Sequence, residues 1–221
     1  MSEKPGLNQV ENVLFDFDGT LVDSREAVLR TFSEFAATFG VNATKQVIAR
    51  FDGLTTYEIV ATAKREWNIR GTVDELTEQY FRLLAATYEQ VAEHPGAFTA
   101  LKALETRGRR LGLVTSAPQQ LVEPVLERLG WPHLFGCKIY GKPGIFGKPH
   151  PALYMAALSA LGADPANVIA VEDSVSGVRS ATAAGIRVVA VASALMHIRL
   201  KEAGAILVVD NLEALLRVLE R

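Results

Sequence analysis

Residues 13–23 read VLFDFDGTLVD, and the fold follows from how this stretch is read. Val13, Leu14 and Phe15 form an uninterrupted apolar run. Such a run reads as a strand buried on both faces, as in a parallel sheet. It ends in Asp16 and Asp18. Side chains two apart in a strand point the same way, so these carboxylates come together where the strand runs out. Isolated aspartates more often mark turns. At the end of a buried strand, though, a carboxylate pair is costly unless a cation lies between them. A divalent metal is the simplest such cation, and an all-oxygen donor set favours Mg2+. Gly19 supplies the tight turn that follows.

Just downstream, Asp23-Ser24 reads as a helix start, with a carboxylate or hydroxyl to cap free N–H groups. Val28, Leu29, Phe32, Phe35, Ala36 and Phe39 then recur at helical spacing. Further helices are predicted over 44–51, 55–67 and 73–93, the last opened by Thr72 and Glu75 as a capping box. No strand pattern occurs between 25 and 93. A crossover between parallel strands needs far fewer residues. The stretch 25–93 therefore reads as an inserted helical domain, and 1–24 with 94–221 as the domain it interrupts. Beyond His94-Pro95-Gly96, strands are predicted at 110–115, 136–140, 168–171, 186–191 and 206–209. Helices at 98–107, 118–129, 149–161, 175–184, 195–203 and 212–219 alternate with them. That alternation means a Rossmann-like α/β parallel sheet covered on both faces.

Composition excludes several classes. The chain has 221 residues, 49% hydrophobic and 22% charged, which suits an ordinary globular protein with a sizeable core. A net charge of −2 with no basic cluster argues against nucleic-acid binding. No apolar run reaches membrane-spanning length, and the polar opening MSEKPGLNQVEN has no signal-peptide core. A single cysteine, Cys137, fits a reducing cytoplasm and reads as a buried apolar residue rather than a nucleophile. A monomer is expected, with a homodimer as the alternative. His94, His133, His150 and His197 read as loop or surface residues, and Trp67 and Trp131 as packing residues.

In an open parallel sheet, ligands bind beyond the carboxyl ends of the strands. The first strand ends in Asp16 and Asp18, the second in Thr115-Ser116, and the fourth in Glu172-Asp173. A loop with two Gly-Lys-Pro copies, carrying Lys142 and Lys148, follows the third. The second copy leads into an apolar-periodic helix, with Pro149 at a tolerated first-turn position, and Lys148 is preferred on that ground. Each pattern is common alone; together, at four strand ends, they point to one site.

Four segments carry a resemblance. Asp16-Phe17-Asp18-Gly19-Thr20, Leu113-Val114-Thr115-Ser116, Lys148-Pro149-His150-Pro151 and Val171-Glu172-Asp173-Ser174 with Gly177 resemble, in order, the four motifs of the haloacid dehalogenase-like superfamily. The helical insert falls where that family carries a C1-type cap. The resemblance implies a Mg2+-dependent phosphatase that hydrolyses a small phosphorylated metabolite through an aspartyl-phosphate. Asp16 would be nucleophile and metal ligand, and Asp18 acid, base and metal ligand through its carbonyl. Thr115, Ser116 and Lys148 would bind phosphate. Asp173 would complete the metal shell, with Glu172 as second choice. An aspartate at 18 is similar to the phosphotransferases and unlike the dehalogenases.

Near relatives within the resemblance include β-phosphoglucomutase and the phosphoglycolate phosphatases. The cap cations of that mutase fall here at Val28, at Thr56 and near Leu83, with Arg82 adjacent, so a phosphatase is favoured over a mutase. Arg25, Arg50, Thr55, Thr56 and Arg82 are the candidate cap residues for substrate. A non-catalytic phosphate- or metal-binding module is a remote alternative. A dinucleotide-dependent oxidoreductase is weaker still, because no Gly-rich phosphate loop follows the first strand.

Overall fold

A computed structural model describes residues 6–7 and 10–219 of the protein. The polar stretch read as lacking a signal-peptide core lies largely outside the described residues. Six parallel strands form one sheet in the order β3-β2-β1-β4-β5-β6. They are β1 (Asn12–Phe15), β2 (Arg110–Val114), β3 (Cys137–Ile139), β4 (Val168–Glu172), β5 (Arg187–Val191) and β6 (Leu207–Val209). Every residue of β1 and β4 is buried, as the apolar runs require of central strands. The chain builds outward from β1 on one side, then returns to its other side with β4. This reversal opens a crevice beyond the carboxyl ends of β1 and β4.

Between β1 and β2 lie α1 (Arg25–Ala37), α2 (Lys45–Ala49), α3 (Thr56–Glu66) and α4 (Val73–Tyr88), followed by α5 (Ala97–Thr106) on the sheet. The insert packs through its own aromatic cluster. Phe32, Phe51 and Trp67 meet at centroid distances of 4.9–6.0 Å, and Phe35 lies 4.7 Å from Tyr80. The two passages between insert and sheet run side by side. Asp23 N donates to Ala92 O at 3.0 Å and His94 N to Leu21 O at 2.8 Å, with Val22 and Glu93 forming an antiparallel bridge. The last insert helix therefore stops at Tyr88 and not at 93, because the chain has to straighten to make this pairing. The sheet is covered by α6 (Gln119–Leu129), α7 (Ala152–Leu161), α8 (Val175–Ala183), α9 (His197–Glu202) and α10 (Leu212–Leu219).

Other boundaries shift for local reasons. α7 starts at Ala152, with Pro151 as its cap, rather than at Pro149. A residue preceding proline is disfavoured in helical conformation, and Pro151 imposes that on His150. Glu172 closes β4 instead of following it. Where one helix is predicted over 195–203, a short 3-10 turn at Ala194–Met196 precedes α9. Cys137 lies half-buried on β3, and burial raises its thiol to about 11, which leaves it unreactive. Trp131 is buried in the core. Among the described residues no helix is long and apolar enough to cross a membrane.

Candidate active site

Asp16 is the first residue past β1, and its backbone N–H still bonds Val171 O of β4 at 3.0 Å. The sheet thereby fixes the base of this side chain. The chain then coils back on itself, with Leu21 and Val22 N–H both donating to Phe17 O. Gly19 at the tip has φ +85°, and a Cβ there would lie 2.4 Å from Asp173 Oδ2. Only glycine lets the turn press against that carboxylate.

Lys148 is buried among acceptors. Its Nζ lies 2.5 Å from Asp16 Oδ1, 2.6 Å from Glu172 Oε1 and 3.1 Å from Val114 O. Burial works against the ammonium, but Asp16 and Glu172 outweigh it and hold the group charged. Lys142, in the other Gly-Lys-Pro copy, is exposed. Tyr154 OH donates to Glu172 Oε1 at 2.7 Å and Ser174 Oγ to Glu172 Oε2 at 3.2 Å. Glu172 is thus fully engaged in orienting Lys148 from behind.

Asp16, Glu172 and Asp173 each bring a carboxylate oxygen within 4.8 Å of the others. Against these three charges stand Lys148 and Arg25, whose Nη1 lies 2.6 Å from Asp173 Oδ2. Burial pushes Asp16 up to about 6 against the pull of Lys148, with Asp173 and Asp18 adding to the rise. Asp173 is likewise pushed up to about 6 by burial, against Arg25. Burial also raises Glu172. Asp16 Oδ2 is buried and has no hydrogen-bond partner among the described residues. A hard cation fits both facts, the surplus negative charge and the orphaned oxygen.

Asp18 has a separate set of partners. Ser24 Oγ donates to its Oδ1 at 2.5 Å, and Tyr88 OH lies 2.9 Å from both carboxylate oxygens. Burial raises its carboxyl, opposed by the Ser24 and Tyr88 bonds, by the Lys148 charge and by a hydrogen bond from Thr115. Ser24 sits at the N-cap of α1 but makes no cap bond, since its hydroxyl is turned to Asp18. Ser24 lies just before the insert and Tyr88 ends its last helix, so both crossings bear on this one carboxylate. Sequence reasoning gave Ser24 a capping role and assigned Tyr88 none.

The strand ends open into a cavity of about 740 Å³. Asp16, Asp18, Thr115, Ser116, Lys148 and Asp173 line it. Thr115 is buried at the end of β2 and its Oγ1 accepts from Ala117 N at 3.0 Å. Three bonds join the insert to the rim: Ser116 Oγ to Gly53 O at 2.8 Å, Ser176 Oγ to Asp52 Oδ2 at 3.1 Å, and Gly147 N to Glu58 Oε2 at 2.9 Å. Of the candidate cap residues, Arg25, Arg50 and Thr56 line the cavity. Thr55 and Arg82 are not among the lining residues. The Thr55 hydroxyl is committed to a capping box with Glu58 at the start of α3. Arg82 stands on the exposed face of α4, 3.7 Å from Glu78 one turn away. Lys45, Arg179 and Arg199 do line the cavity, and sequence reasoning passed over them.

Fold and site together define the class: an α/β enzyme of hydrolase type with helices inserted after its first strand. The chain belongs to the haloacid dehalogenase-like hydrolase family, whose profile matches residues 13–191. It is 30% identical over 214 residues to the phosphorylated carbohydrates phosphatase of Thermotoga maritima, covering 96% of this chain and 99% of that protein. It is 32% identical over 177 residues to a phosphoglycolate phosphatase of Xylella fastidiosa, covering 78% and 76%. CbbY from Rhodobacter sphaeroides, solved with phosphate, has the same fold, with a TM-score of 0.78 at 24% identity over 96% of this chain and 100% of that one.

Proposed function

We propose that this chain is a Mg2+-dependent phosphatase acting on a small phosphorylated metabolite, of the sugar-phosphate kind, beneath a cap formed by residues 25–93. The observation that carries the reading is the state of Asp16. One of its oxygens is held by Lys148 at 2.5 Å and the other is buried with no partner. Relatives named as phosphatases of phosphorylated carbohydrates and of phosphoglycolate support a phosphomonoester as substrate.

Asp16, Asp173 and the carbonyl of Asp18 would hold the metal, with Glu172 a second choice because Lys148 and Tyr154 already engage it. When bound, Mg2+ cancels repulsion between the Asp16 carboxylate and the substrate phosphate. Asp16 attacks phosphorus in line and becomes an aspartyl-phosphate as the ester oxygen departs. Asp18 gives that oxygen a proton, then takes one from the water that opens the intermediate. The Thr115 hydroxyl, the Ser116 N–H and the Lys148 ammonium hold the three remaining phosphate oxygens as charge spreads over them. Every group comes from one chain, so a monomer suffices. The unpaired Cys137 suits the reducing cytoplasm.

Hydrolysis of p-nitrophenyl phosphate tests the reading. It should require Mg2+, stop with EDTA, and fall by about 10^4-fold or more in Asp16→Asn. Normal turnover by Asp16→Asn overturns the assignment. Interconversion of hexose 1- and 6-phosphates without phosphate release would replace the phosphatase with a mutase. Against that, the resemblance places the mutase's cationic cap positions here at Val28, at Thr56 and near Leu83, with Arg82 adjacent.

A further inference from the structure

Charge is sorted along the cavity. At its floor every cation has a partner: Lys148 with Asp16 and Glu172, and Arg25 with Asp173. Arg50, on the insert side, is paired with Glu66 at 2.6 Å. Lys45, Arg179 and Arg199 also line the cavity, and among the described residues none of the three has an ion-pair or hydrogen-bond partner. They come from both walls. Lys45 opens α2 in the insert, Arg179 lies on α8 and Arg199 on α9. Arg179 follows Val175 and Ser176 by four and three residues, which puts it on the helix face that already lines the cavity. Single exposed cations are ordinarily just solvated. Three unpaired ones, one from the insert and two from the sheet's helices, lining one concavity raise the local potential for an anion.

The remaining lining says what kind of substrate needs them. The insert wall is largely apolar, with Val28, Leu29, Ile48, Leu54 and Ile59 facing the space. It offers few partners for a ring of hydroxyls. A cavity of about 740 Å³ takes a whole metabolite and not just a phosphate group. Asp52, Thr56, Ser174 and Ser176 also line the space, but Asp52 and Ser176 bond each other, Ser174 bonds Glu172 and Thr56 is buried, so polar recognition remote from the scissile phosphate falls chiefly to the unpaired cations. We propose that Lys45, Arg179 and Arg199 form a second-anion subsite, selecting phosphomonoesters that carry a further carboxylate or phosphate at their far end. The proposal rests on the phosphatase reading for its scissile group. A substrate held this way would bridge insert and core, since Lys45 belongs to α2 and Arg179 and Arg199 to α8 and α9.

The test compares matched ligands that differ in that far group: sorbitol 6-phosphate against 6-phosphogluconate, glycerol 3-phosphate against 3-phosphoglycerate, and fructose 6-phosphate against fructose 1,6-bisphosphate. Dissociation constants are measured by calorimetry on Asp16→Asn protein with Mg2+, where ligands stay intact. In at least one pair the extra anion should tighten binding by about tenfold at low salt, the sum of two or three exposed charge contacts. The responding pair identifies carboxylate or phosphate. The ratio should shrink in 0.5 M NaCl and approach one in Arg179→Gln/Arg199→Gln, while Arg82→Gln, outside the cavity, keeps it. Ratios near one in all pairs, no binding by either member, or a ratio unchanged in the double variant each overturn the subsite. The phosphatase reading fails separately, if wild-type protein with Mg2+ releases no phosphate from p-nitrophenyl phosphate.

Discussion

The carboxylate cluster should make the metal-free protein less stable as pH rises through neutrality. Asp16 titrates near 3.8 when exposed and is raised to about 6 by burial. A raised carboxyl binds its proton more tightly folded than unfolded. Its contribution is therefore fully present below pH 3.8 and is lost as pH climbs through 6. The whole change is about 3 kcal/mol. At pH 5 the folded group is still only about one-tenth ionised, so about 1.4 kcal/mol of that loss falls between pH 5 and 7.5. Asp173, also raised to about 6, acts with the same sign. For a chain of this length Asp16 alone lowers the melting temperature by about 3–6 °C over that interval. Calorimetric melts in EDTA at pH 5.0 and 7.5 read this directly. Adding Mg2+ should raise the melting temperature more at pH 7.5 than at 5.0, because protons compete for the same oxygens. Asp16→Asn should be more stable than wild type at pH 7.5 in EDTA, by up to about 3 kcal/mol, and should lose about half of the pH slope, the Asp173 share remaining. A melting temperature in EDTA that stays flat or rises from pH 5.0 to 7.5 refutes the reasoning, since it would mean that Lys148 and Arg25 already balance the cluster.

Three further substitutions separate the roles. Lys148→Met leaves Asp16 and Glu172 buried without their shared cation and should destabilise by about 3–5 kcal/mol in denaturant melts while abolishing turnover; exposed Lys142→Ala should do neither. Tyr88→Phe removes one donor from Asp18, so kcat should fall by about tenfold with KM little changed and the stability loss held to about 1 kcal/mol; an unchanged kcat would remove Tyr88 from the acid–base machinery. Gly177→Ala places a Cβ 2.0 Å from Glu172 Oε2 and should displace that carboxylate, costing about 3 kcal/mol or more or leaving a folded chain with little activity; a stable, active variant would show that Glu172 has room to move.

The parallel sheet was legible because each strand is a short apolar run between helical periods, and the site because its residues sit immediately past those runs. Asp16, Thr115 and Asp173 owe their positions to the backbone of β1, β2 and β4, so strand prediction alone carried them to the sheet edge. Lys148 was harder, since its place depends on a loop. The preference for the second Gly-Lys-Pro copy rested on Pro149 starting a helix, yet α7 begins at Ala152. In the structure burial separates the two lysines: Lys148 lies against Asp16 and Glu172, and Lys142 is exposed.

The partners of Asp18 were not legible, for a definite physical reason. Tyr88 is 70 residues from Asp18 in sequence. At the end of an apolar-periodic helix a tyrosine looks like one more core residue, and by ring it is one, stacked 6.5 Å from Phe17. Its bond to Asp18 is made by the one polar atom at the ring's tip, whose direction is set by where the insert returns to the sheet. Nothing local encodes that. The same holds for Arg179 and Arg199, which are ordinary exposed cations until α8 and α9 stand side by side beneath the insert. Candidate catalytic groups tied to strand ends can be read in one dimension. The residues proposed to select the substrate or to steer Asp18 depend on which helices meet across the cavity, and that is settled only once the chain has crossed between insert and sheet twice.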